Sequence, residues 1–112
     1  MRSCYVSQCI TVTDATFRSE VFDVSLPVVT VFADSTPESL ESIRTVEEVM
    51  STYGRAIGLA KVNVAANRTV GVAYGITKVP TIILFVGGKA VLRMVGVATA
   101  EQLRAAVHSY VS

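Results

Sequence analysis

Residues 81–86 read Thr-Ile-Ile-Leu-Phe-Val, an apolar and β-branched run unbroken by any charge. A strand with one wet face alternates polar and apolar side chains, so a run of this kind marks a strand covered on both faces. Gly87-Gly88 follows at once, a two-residue hairpin signal, and residues 89–95 return antiparallel. A central strand of this kind needs helices above and below the sheet.

The rest of the chain supplies them. Residues 8–12 (Gln-Cys-Ile-Thr-Val) form a short strand with Ile10 and Val12 on one face. Asp14 is placed to N-cap a helix over about 15–23, where Phe17, Val21 and Val24 keep helical spacing. Pro27 opens a buried-type strand, Pro-Val-Val-Thr-Val-Phe-Ala. A helix then runs from about 36 to 53 with Leu40, Ile43, Val46, Val49 and Tyr53 as its apolar stripe and Gly54 as its stop. Two starts compete: Ser35 with Glu38 makes a capping box, while Thr36 as N-cap puts Pro37 at the first helical position. Residues 57–64 make the next strand, and a short helix over about 67–74 ends at Gly75. Thr99 and Gln102 form a second capping box, opening a last helix that carries Leu103, Val107, Tyr110 and Val111. The order β-α-β-α-β-α-β-β-α predicts an α/β fold, a mixed central sheet flanked by helices on both faces.

Composition narrows the function. A length of 112 residues is one domain's worth, here taken as residues 1–112 with 1–7 a short leader. Apolar residues make up 51% and charged residues 17%, which excludes a disordered chain. The net charge is +1 with no basic stripe, so nucleic acid is not an expected partner. The mean hydropathy, +0.51, raises the question of a membrane span. The longest apolar stretch, Val79 to Val86, falls far short of the ~20 residues that a helical span requires. The start lacks the apolar core of a secretory signal, so a cytoplasmic protein is expected. The two cysteines, Cys4 and Cys9, are too few for a disulfide framework. In an extended segment their Cα atoms stand roughly 16 Å apart, beyond the ~7 Å that a disulfide tolerates.

Several stretches together resemble the thioredoxin family. They are Val12-Thr-Asp-Ala-Thr-Phe17, Pro27-Val-Val, Val46-Glu-Glu-Val49 with Tyr53-Gly54, Leu59-Ala-Lys-Val-Asn63 with Asn67, Tyr74-Gly-Ile76, Val79-Pro80-Thr81, Gly88-Lys89 and Val95-Gly96. The resemblance covers nearly everything from Val12 onward and implies the thioredoxin fold, with a cis peptide bond before Pro80. It also implies a Trp-Cys-Gly-Pro-Cys centre at the start of the second helix. Those positions read Thr36-Pro37-Glu38-Ser39, and the chain has no Trp. Completing the alignment takes a one-residue deletion between Pro27 and Thr36, and the family's buried acid then falls on Thr30 or Val31. Lys61 stands where the family's lysine stands. Dithiol exchange needs an attacking thiolate and a second, resolving thiol, and hydroxyls supply neither. Thr36, Pro37 and Ser39 are good helix starters instead, so the expectation is a scaffold that keeps the helix start without the redox chemistry.

What then carries function is a surface. In the family the residue before the proline pairs with an extended partner segment, which implies a shallow apolar groove of Val79, Pro80, Thr81, Gly96 and Val97 beside Thr36. Binding by strand addition needs no thiol. The expected role is a protein- or peptide-binding or scaffold module, with no catalytic residue, cofactor or metal. The alternative is an atypical oxidoreductase, serving cell redox homeostasis through Cys4 or Cys9 as reactive thiols. A third reading is a structural role, with the domain packing in a homo- or hetero-oligomer through a sticky face. Thr36 and Ser39 as a nucleophile pair would need an adjacent base, and the single His, His108, belongs to the last helix. Cys4, Cys9 and His108 are one ligand short of a closed zinc site. Glu38, Glu41, Glu47 and Glu48 read as the wet face of their helix, and Lys61 as a solvated lysine.

Overall fold

The computed structural model describes residues 9–53 and 57–111. Five strands form one sheet in the order β1-β3-β2-β4-β5, with β1 Cys9–Val12, β2 Val28–Ala33, β3 Gly58–Asn63, β4 Thr81–Val86 and β5 Lys89–Val95. β1 and β2 run parallel to β3, β2 pairs antiparallel with β4, and β4 antiparallel with β5. Helices α1 (Pro37–Met50), α2 (Arg68–Ala73) and α3 (Ala100–Val111) complete the chain, and the α/β order read from the sequence stands. The expected leader, Cys4 and the Gly54 stop lie outside the described residues.

Two apolar clusters sandwich the sheet. Val29, Val31, Leu59, Ile82 and Leu84 face Val46, Val49, Met50, Leu103 and Val107 of α1 and α3. Val12, Val28, Phe32, Val62, Ile83 and Phe85 face Phe17, Val21 and Val70 on the other side. β4 feeds both clusters, which is why its sequence shows no alternation. The hairpin closes on Gly87 and Gly88 at φ 59° and 82°. A Cβ on Gly88 would stand 2.8 Å from the Phe22 carbonyl oxygen, so the position demands glycine twice over.

The first helical segment departs from expectation. It is one wide turn, Arg18–Phe22, closed by an i+5 bond from the Asp23 N–H to the Arg18 carbonyl (2.8 Å). Asp14 does not cap it. Its carboxylate accepts instead from Val70 N–H (2.9 Å) and Thr69 N–H (3.4 Å), the orphan donors at the start of α2. Asn67, next to that start, caps nothing with its side chain but accepts from Asp14 N–H at 3.0 Å. A residue 53 positions upstream in sequence thus caps a helix on its behalf. Asp14→Ala removes that cap and is expected to lower the unfolding free energy by about 1 kcal/mol in urea denaturation, while Asp14→Asn retains most of it.

Helix α1 ends at Met50 rather than 53, its last turn closing through Thr52 N–H to Val49 and Tyr53 N–H to Met50. The competition at its start is settled for Thr36, whose extended backbone (φ −72°, ψ 157°) and Oγ1 receive the Ser39 N–H at 3.3 Å, with Pro37 at the first helical position. At α3 the expected box forms both ways, Gln102 N–H to Thr99 Oγ1 (3.1 Å) and Thr99 N–H to Gln102 Oε1 (3.0 Å).

Candidate functional site

The carboxyl end of β2 delivers Ala33 and Asp34 to the start of α1. Asp34 Oδ1 is the hub there. It accepts from Thr36 Oγ1 (2.6 Å), Thr36 N–H (3.0 Å) and Ser39 Oγ (2.8 Å). Ser39 Oγ in turn accepts from Asp34 N–H at 3.2 Å, so the loop closes on itself. Ser39 is fully buried and Thr36 exposed. The hydrogen bonds from Thr36, then that from Ser39, hold the Asp34 carboxyl below its ordinary pKa. A carboxylate stabilised in this way is a weak base and does not activate either hydroxyl. The four residues Thr36, Pro37, Glu38 and Ser39 therefore do one visible thing, which is to begin a helix.

The sign of the Asp34 shift fixes a pH dependence. The folded value lies below the unfolded one, so its stabilisation is complete above about pH 4 and fades as pH falls through the folded value. For Asp34→Asn the stability deficit relative to wild type is expected to be constant from pH 5 to 8 and to shrink on further acidification. Thermal unfolding across pH 2.5–7 checks it.

Asp34 is not marked as a site residue by the sequence alone. Its only signal was an Asp two positions ahead of an N-cap Thr, the spacing of an Asx-turn.

At the family's buried-acid positions the structure has Thr30 and Val31, both buried. Val31 is the cross-strand neighbour of Lys61, and Thr30 faces the opposite side of the sheet. Thr30 Oγ1 has no hydrogen-bond partner among the described residues. The environment of Lys61 in β2 is thus apolar.

The Val79-Pro80 peptide bond is cis. Gly96 N–H donates to the Pro80 carbonyl oxygen at 2.8 Å, which fixes the end of β5 against this turn. Of the five residues expected to line a groove, Val97 is 56% exposed, Val79 and Gly96 are half-buried, and Pro80 and Thr81 are buried. Thr81 cannot present its side chain to a partner. Its Oγ1 donates to the Lys78 carbonyl, and the residue pairs with Phe32 and Val95 across the sheet. Val95 replaces it on the surface at 57% exposure. The accessible apolar side chains near the turn are therefore the half-buried Val79 and the exposed Val97, with Val95 exposed at the end of β5.

Cys9 opens β1, and His108 is exposed on α3. Among the described residues no three His, Cys, Asp or Glu side chains gather to hold a metal ion. Nor, among them, is any helix long and apolar enough to cross a membrane.

Comparison with known proteins agrees with this geometry. The thioredoxin family model matches residues 8–109. Thioredoxin of Pyropia yezoensis is 30% identical over 102 residues, covering 90% of this chain and 95% of its own. Thioredoxin 1 of Nostoc sp. is 35% identical over 92 residues, covering 81% and 86%. Thioredoxin 1 of Synechococcus elongatus is 34% identical over the same length and coverage. With its sheet order, its cis bond at Val79-Pro80 and a match from residue 8 to residue 109, the chain belongs to the thioredoxin family.

Proposed function

We propose that this protein is a cytoplasmic thioredoxin-family module that binds an extended polypeptide segment beside the cis turn and performs no dithiol–disulfide exchange at the start of α1. The observation that carries the reading is the hydrogen-bonded ring of Asp34, Thr36 and Ser39. It occupies the place where an attacking and a resolving thiol would stand, and it uses both hydroxyl protons to hold a carboxylate. Meanwhile the backbone of the binding face persists. The cis bond, the Gly96–Pro80 hydrogen bond and the exposed Val95 and Val97 together offer main-chain groups and apolar contacts to an added strand.

The test compares three forms of the protein in partner capture: wild type, Cys4→Ser/Cys9→Ser, and Val79→Asp. Partners held by the first two and lost from the third place recognition at this face, since a carboxylate at position 79 would be desolvated by any strand laid against it. Partners lost from the double serine variant and kept by Val79→Asp would transfer the function to the thiols.

A further inference from the structure

A second feature lies away from the cis turn. A pocket of about 230 Å³ opens beneath the first turns of α1, at the carboxyl ends of the three mutually parallel strands β1, β3 and β2. Its polar walls come from Lys61, Asp34, Thr11 and Asn63, and its apolar wall from Leu40 and Ile43. None of the five residues expected around Pro80 lines it.

The charges in this pocket are unusual. Lys61 is half-buried, and Val31 is its neighbour in β2. Lys61 and Asp34 both line this space, and the only ion pair among the described residues is Arg18 with Asp23, so the two are not paired with each other. Asp34 commits Oδ1 to three donors, and no hydrogen bond reaches its Oδ2 among the described residues. A cationic and an anionic residue lining one small cavity without pairing leave both charges open to a guest. The complementary guest carries a carboxylate and an ammonium side by side, with an apolar side chain beyond them. Leu40, which is 52% exposed, and Ile43 supply a patch for an aliphatic side chain. The volume suits a molecule of metabolite size rather than a larger cofactor. Sites of this kind belong at the carboxyl ends of parallel strands.

We propose that this pocket binds a free apolar α-amino acid, its carboxylate on Lys61, its ammonium on Asp34 and its side chain on Leu40 and Ile43. The proposal is independent of peptide binding at the cis turn.

The experiment is a titration of ¹⁵N-labelled protein with L-leucine, 4-methylpentanoate and 3-methylbutylamine in parallel. L-leucine is expected to shift the amides of Thr11, Lys61 and Asn63 saturably, with a Kd on the order of 1 mM, as ligand efficiency allows for so small a molecule. Those of Val79 and Val97 should stay still. The two single-charge analogues should bind at least about fivefold more weakly, because each leaves one wall charge unanswered. Lys61→Gln should weaken L-leucine to the same extent. Leu40→Gln, at an exposed rim position that the fold does not depend on, should weaken it by about threefold through lost apolar contact. The proposal is overturned by an absence of saturable shifts up to 50 mM, by shifts centred elsewhere, or by equal affinity for all three probes.

Discussion

Phe85→Ala is expected to lower the unfolding free energy by about 3–5 kcal/mol, a large part of the 5–15 kcal/mol typical of a domain this size. Phe85 is 1% exposed and lies at the centre of the cluster opposite α1. Its ring meets Tyr74 edge-on at 5.1 Å and Phe17 edge-on at 5.6 Å. Three elements meet there: β4, the wide turn through Phe17, and the end of α2 at Tyr74. Truncation therefore leaves a cavity and also removes two ring pairs, each worth about 0.5–1.5 kcal/mol beyond area. The fall in melting temperature should be about 15–25 °C. Val95→Ala, at an exposed valine, should stay within about 0.5 kcal/mol of wild type and serves as the control.

The largest functional change is expected from Thr36→Cys/Ser39→Cys. Thr36 is exposed and Ser39 buried, the exposures that an attacking and a resolving thiol require. The helix N-terminus would lower the pKa of a thiol at position 36. The double variant should therefore reduce insulin at least about tenfold faster than wild type. It should still be slow, because Asp34 lies one hydrogen bond from both side chains. Its charge opposes a thiolate and raises the thiol pKa. Adding Asp34→Asn should speed the reaction further and lower the thiol pKa read by alkylation rate. Equal rates with and without that third change would show that Asp34 does not govern the electrostatics of the helix start.

How much of this was legible in the sequence depended on range. Residues 81–86 announced a doubly covered strand because both clusters draw on them, and Gly87-Gly88 announced its turn. Thr99 and Gln102 cap α3 across three residues, within reach of local pattern. Local spacing points Asp14 at the nearest helix and reveals nothing of its partner at position 70. The wide turn at 18–22 escaped for a related reason. Phe17 and Val21 keep helical spacing whether the turn closes at i+4 or i+5. At the site, the lack of thiols was plain, and so was the helix-starting chemistry of Thr36 and Pro37. The role of Asp34 was not, since only folding brings its Oδ1 onto Ser39. The neighbours Val79 and Pro80 point Thr81 toward the surface, but it is buried and pairs with Phe32 across the sheet.

The most direct measurement is dithiothreitol-driven insulin reduction by the unmodified protein, run beside Cys4→Ser/Cys9→Ser. Both should proceed at the uncatalysed rate, since positions 36 and 39 carry hydroxyls rather than thiols. Turnover by the unmodified protein at the rate of an ordinary thioredoxin would contradict the account.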